Sequence, residues 1–206
     1  MVNLVAPALD WSIPFRIDRE DALTGARIGG RAPEGCSPPS LGSAGRFLVT
    51  VPLAIDPDLE ASVFVGFTFQ EMLRAAGDID GGSRFVDVVV HQPSRRRDDS
   101  AYSSKLPGHA LVLGMRQPDT EADPDGPVAR SSHKLGGTPF IMRGGPTLDQ
   151  AIQDLIEGGF RQVLQLDFPG ADDFPVQGSW PFADGVFHLL GRQPFSAADW
   201  RAFWET

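Results

Sequence analysis

The chain has 206 residues, of which 41% are hydrophobic and 22% charged, a size and balance that suit one compact domain with its own apolar core. Its formal charge of −9 repels phosphate backbones, which argues against a nucleic-acid binder and favours a basic protein partner. Cys36 is the only cysteine, so an intrachain disulfide and a cysteine metal cluster are both excluded.

The N-terminal stretch "MVNLVAPALDWSIPFRIDRED" has no basic segment followed by an unbroken apolar one. No apolar run approaches the roughly 18 residues of a membrane span. A cytoplasmic protein is therefore expected. The 23 glycines and 18 prolines argue for many turns and short elements, not a helical bundle.

In chain order, a weak helix start at Asp18 comes first, followed by a Gly/Pro/Ser-rich loop, "GRAPEGCSPPSLGSAG", over 30–45. Val-, Leu- and Phe-rich segments predict strands at 46–55 and 62–67. Thr68 and Glu71 form a capping box, and Phe67 and Met72 hold the positions of a hydrophobic staple. Together they predict a helix over 69–76 that stops at Gly77. Strands at 84–92 and 109–116 follow, separated by an arginine run at 95–97. Flanked by Asp98 and Asp99, that run reads as a solvated, partly self-paired turn.

The acidic, proline-broken stretch "QPDTEADPDGPVARSS" at 117–132 reads as a loop between two lobes. A helix is expected from a cap at Thr147, with Gln150 three residues on. Its buried face is Leu148, Ala151, Ile152, Leu155 and Ile156, and Gly158 and Gly159 end it. Strands at 161–168 and 185–192 come next. Ser196 and Asp199 then predict a C-terminal helix, with Phe195 stapled to Trp200 and an apolar face of Trp200, Phe203 and Trp204.

Helices and strands do not alternate regularly, which indicates an α+β fold of mostly antiparallel sheets with a few short helices. "RIGGRAP" at 27–33 is echoed by "KLGGTP" at 134–139. Each leads to a long strand, an Asp-rich turn and a short strand. The repeated order predicts two related halves from a diverged duplication. They are residues 1–117 and 133–206, joined by an acidic loop at 118–132 within one compact domain.

The second half resembles the YwqG-like family, a bacterial domain family of unknown biochemical function. The resemblance rests on "HKLGGTP" at 133–139, "VLQLD" at 163–167 and "WPFADGVFHLLGRQPFSAADW" at 180–200. It implies an α+β fold with two related halves and no catalytic residues to carry over. The chain departs from the family at "FIMRGG", where a Gln is common, and at His188, where an aromatic is common.

No catalytic, cofactor or metal site is expected. "EADPDG" at 121–126 opens like a calcium loop, but Ser132 stands where a bidentate Glu is required. Asp172, Asp173 and Asp184 with His188 would hold a metal only if at least three converged, and they stand on separate turns. Cys36 has no cationic neighbour to stabilise a thiolate. His91, His109, His133 and His188 are scattered, without a Ser or Cys motif. Gly144 and Gly145 precede the Thr147 helix with Arg143 nearby, a possible anion site, but ordinary capping by Thr147 accounts for them.

These features point to a non-catalytic protein-binding module, an immunity protein that covers the active surface of a basic toxin or effector encoded nearby. Asp172, Asp173, Trp180 and Asp184 are the expected partner-binding residues. The alternative is a hydrolase or metal-assisted enzyme with Asp184, His188 and His133 meeting between the two halves. A third reading, a structural component of a secretion apparatus, is not separable from immunity at this level.

Overall fold

A computed structural model of the chain describes residues 11–18, 20, 22–54, 56–119, 133–139, 141, 145–167, 180–183 and 185–206. Its strands are β1 (Trp11–Ile17), β2 (Arg27–Ile28), β3 (Arg46–Leu53), β4 (Asp56–Val65), β5 (Val86–His91), β6 (His109–Leu113), β7 (Gln117–Pro118), β8 (Lys134–Gly136), β9 (Arg161–Leu166), β10 (Phe187–Gly191) and β11 (Trp200–Trp204). Three helices accompany them: α1 (Phe69–Ala75), α2 (Ile79–Ser83) and α3 (Pro146–Glu157).

All the strands belong to one antiparallel sheet in the order β11-β10-β9-β8-β1-β6-β2-β3-β4-β5, with β7 paired to β1. The sheet curls into a nearly closed barrel, and α2 bridges its two end strands. Ser83 Oγ accepts from the Ala202 amide of β11 at 3.0 Å, and Gly82 packs against the Ala202 carbonyl so closely that a Cβ would meet it. The shared interior joins Val49, Val51 and Val63 of one end to Leu164, Leu189, Ala202 and Trp204 of the other. The fold is thus mostly antiparallel β with short helices, as the irregular element order predicts.

Outward from β1 and β6, the two halves of the sheet match strand for strand: β2-β3-β4-β5 on one side, β8-β9-β10-β11 on the other. The register matches too. Arg27 pairs with Thr50, Thr50 with Ser62 and Ser62 with Val89. In the other half Lys134 pairs with Gln165, Gln165 with His188 and His188 with Phe203. One residue further on, Ile28, Val49 and Val63 correspond to Leu135, Leu164 and Leu189, and all of these face the shared core. Gly29 and Gly30 have φ of 68° and 69°, Gly136 and Gly137 of 71° and 77°, so both pairs occupy the left-handed region that glycine tolerates.

The capping box at Thr68 forms as predicted. Thr68 Oγ1 accepts from the Glu71 amide at 3.3 Å, and Glu71 accepts from the Thr68 amide at 2.7 Å. Three expectations are corrected. The cap of α3 is Gly145, not Thr147, because Pro146 takes the first helical position, where its fixed φ suits the helix and its missing N–H costs nothing. The Ser196–Asp199 box forms but closes only a 3₁₀ turn, and Trp200–Trp204 is a strand. A five-residue helix could not offset its own nucleation, whereas pairing with β10 satisfies the backbone and buries both faces. Asp18 starts no helix; its amide donates to the Ala110 carbonyl at 2.8 Å, continuing the pairing of β1 with β6.

Candidate functional site

Polar side chains within apolar strands stand out in both halves. His188 is the second residue of β10 and is 0% exposed, with its Nε2 3.1 Å from Glu205 Oε1 and its ring stacked on Phe203 at 4.6 Å. Burial pushes its pKa below the ordinary histidine value, opposed by Glu205 and, more weakly, by Asp167; Lys134 adds to the lowering. The imidazole is therefore neutral. Nε2–H donates to the carboxylate, and Nδ1 is left as an acceptor without a hydrogen bond.

Neighbouring polar groups secure the same face. Lys134 Nζ lies 3.0 and 3.2 Å from the Asp119 oxygens, and Asp119 also accepts from the Thr138 amide at 2.6 Å. Gln162 Nε2 donates to the Gly136 carbonyl at 2.9 Å. The Asp167 amide donates to His133 Nδ1 at 3.2 Å, and the His133 ring stacks on Phe15. His133 precedes β8 and His188 lies in β10, with β9 between them, so these two members of the enzyme alternative are two strands apart. Asp184, its third member, lies outside the described residues.

The first half carries a smaller polar group at the matching place. Ser62 Oγ lies 2.7 Å from both Thr50 Oγ1 and His91 Nε2, and His91 Nδ1 is 2.6 Å from the Gln92 carbonyl. A carbonyl only accepts, so Nδ1 carries a proton, and in the neutral imidazole Nε2 can accept from the Ser62 hydroxyl. This is the hydrogen-bond order of an activated serine. Yet Ser62 is 0% exposed and crowded by Thr50 and Cys36, which leaves no approach for a carbonyl carbon. Burial raises the Cys36 thiol to about 11, so it is protonated and a poor nucleophile. Arg27 is 1% exposed; Nη1 donates to the Gly25 carbonyl, while Nε and Nη2 have no hydrogen-bond partner. Glu60 lies close enough to favour its charge against the cost of burial.

His91, Lys134 and His188 are visible in the sequence, but their links to Ser62 and Glu205 span distant segments. The available signal was a polar residue inside an otherwise apolar strand, such as Thr50 in "RFLVTVPL" or His188 in "GVFHLL". Among the expected partner-binding residues, Asp172, Asp173 and Asp184 lie outside the described residues, as does "EADPDG". Trp180 points inward: it is 6% exposed, donates from Nε1 to the Gly185 carbonyl at 3.2 Å and packs on Phe182. A ring so placed stabilises the core and offers no surface to a partner. Arg143 and Gly144 also lie outside the described residues. The arginine run is partly self-paired as expected, Arg97 to Asp99 at 2.8 Å and Arg95 to Asp98 at 3.8 Å, and Arg95 also reaches across to Glu34 at 2.9 Å.

Among the described residues, a groove of about 680 Å³ lies open between α2 and α3. Its apolar floor includes Ile79, Leu148 and Leu155, and its rim carries the carboxylates of Asp78, Asp80 and Asp154. Asp78 caps α2 by accepting from the Gly81 amide at 2.9 Å, and Asp154 accepts from Gln150 at 2.7 Å, so both are held in place. An apolar floor under an acidic rim suits the stem and head of a lysine or arginine side chain. Among the described residues, no three His, Cys, Asp or Glu side chains are grouped to hold a metal ion, and no helix is long and apolar enough to cross a membrane. Comparison with protein-family models, curated proteins and solved structures gave no match.

Proposed function

We propose that this chain is a non-catalytic protein-binding module that neutralises a basic toxin or effector domain by covering its active surface, in the manner of a cytoplasmic immunity protein. The groove between α2 and α3 carries this reading, because its lining offers carboxylates over an apolar floor and, among the described residues, no cation. The charge of −9 would draw a basic partner in and orient it before contact. The matched sheet halves support the duplication read from the two Gly-Gly elements, whereas the resemblance to the YwqG-like family rests on the sequence alone.

The test is co-expression with the C-terminal domain of the protein encoded immediately upstream. Protection of the host and a salt-sensitive complex are expected. A charge-reversed variant, Asp78→Lys with Asp80→Lys and Asp154→Lys, should lose both. Unchanged protection by that variant would remove the groove from the function. The Ser62–His91 hydrogen bond does not carry a second reading as a serine hydrolase, because Ser62 is buried beyond the reach of a substrate; a fluorophosphonate should leave Ser62 unlabelled in the folded protein.

A further inference from the structure

The surface beside the groove carries an apolar pair that the fold does not use. Phe69 and Leu73, one turn apart on α1, are 65% and 46% exposed, while Met72 and Ala75 of the same helix face the core. Gly77 and Asp78, at the lip of the groove, follow α1 closely, so Leu73 lies four residues along the chain from the lip and Phe69 eight.

The helix beneath this pair is held at both ends. Thr68 and Glu71 close its first turn. At the other end, Trp204 Nε1 donates to the Met72 carbonyl at 2.9 Å and the Gly77 amide donates to the Trp204 carbonyl at 2.8 Å. Phe67 fastens the entry by packing on Phe85, Phe182 and Trp204. An exposed phenylalanine on a fixed helix loses little conformational entropy when covered, which is the property of an interface anchor.

We infer that Phe69 and Leu73 are the apolar anchor of one docking face whose acidic half is the α2–α3 groove, and that its occupant is a basic amphipathic segment of a partner protein. Charge complementarity selects that occupant: the carboxylates of Asp78, Asp80 and Asp154 at the lip require cationic side chains beside the apolar ones. The inference rests on the protein-binding reading above and specifies the partner's contact chemistry.

The experiment uses the full chain and a labelled helical peptide with leucine on one face and lysine on the other, read by fluorescence anisotropy at low and high salt. Phe69→Ser with Leu73→Ser should weaken binding by roughly tenfold or more without altering the salt dependence. Both side chains are exposed, so the variant should melt like the parent, and circular dichroism checks this. Asp78→Lys with Asp154→Lys should weaken binding and flatten the salt dependence. If the serine variant binds like the parent while the charge reversal does not, the anchor is overturned and the groove reading survives. If neither variant changes binding, both fail. A parent chain that dimerises through Phe69 and Leu73 in sedimentation, with the serine variant monomeric, would make a second copy the occupant and also overturn the inference.

Discussion

The same row of the sheet is filled in opposite ways in the two halves. In the first, Thr50 and Ser62 are small hydroxyls beneath a covering loop that brings Ala32 and Cys36 against Phe47 and Phe64. In the second, Gln165 and His188 are larger, and on that face Leu190 and Phe203 pack against α3 through Leu148 and Ile152. The backbone pairing is nearly identical. The covering layer therefore decides which side chains fit, since close packing leaves no room for both choices. The lesson is that matched topology does not carry matched chemistry.

The largest test of this contrast is to delete the central side chain of each row. His188→Ala should cost about 3–5 kcal/mol, because it opens a cavity beside Phe203 and removes a hydrogen bond from the buried Glu205 side chain. Ser62→Ala removes one oxygen and should cost only about 1–2 kcal/mol. Urea denaturation measures both. Equal losses would mean that the rows do the same work. Replacing His188 and Glu205 together by leucine should cost less than the two single changes summed.

The paired glycines give a second comparison. A Cβ on Gly29 would run into the Pro107 carbonyl, whereas one on Gly136 would meet the Trp11 carbonyl at 3.3 Å. Both positions have positive φ, so each alanine variant is strained by about 1 kcal/mol or more, and the clash adds to Gly29→Ala alone. Thermal melts should rank Gly29→Ala well below Gly136→Ala. The reverse order would show that the two turns relax differently from their static packing.

Acidity separates the halves as well. His188 has a folded pKa below its ordinary value of 6.5. The unfolded chain then takes up a proton first as pH falls, so the contribution of neutral His188 is present above about 6.5 and lost below it, toward the folded value. Stability of the parent should fall more steeply than that of His188→Asn over this range, with the difference isolating this group from the carboxylates around it. Parallel curves would contradict a buried neutral imidazole.

The smallest effects concern the two capping boxes, which occupy matching places between β4 and β5 and between β10 and β11. Thr68→Ala should cost about 1 kcal/mol by loosening the first turn of α1. Ser196→Ala should cost less, because Arg192 still holds Asp199 at 3.0 and 3.2 Å. A larger loss at Ser196, read by denaturation, would mean that the turn before β11 organises that strand.

Local chemistry alone accounted for a good share of the fold. The Thr68–Glu71 box, the stop at Gly77, the apolar strands and the buried face of α3 follow from contacts within a few residues of one another. The echo of "RIGG" and "KLGG" pointed to the places where the chain adopts paired left-handed glycines. What the tertiary structure decided depends on partners distant in the chain. Ser196 and Asp199 have the same local pattern before a helix or a turn, and only pairing with β10 makes Trp200–Trp204 a strand. Trp180 is a plausible surface aromatic until Phe182 and Gly185 are seen to receive it. His188 and Glu205, Ser62 and His91, and the α2–α3 groove come from separate segments. A hydrogen bond or a groove is a relation between surfaces, and residue spacing along one strand or helix carries no record of what lies opposite.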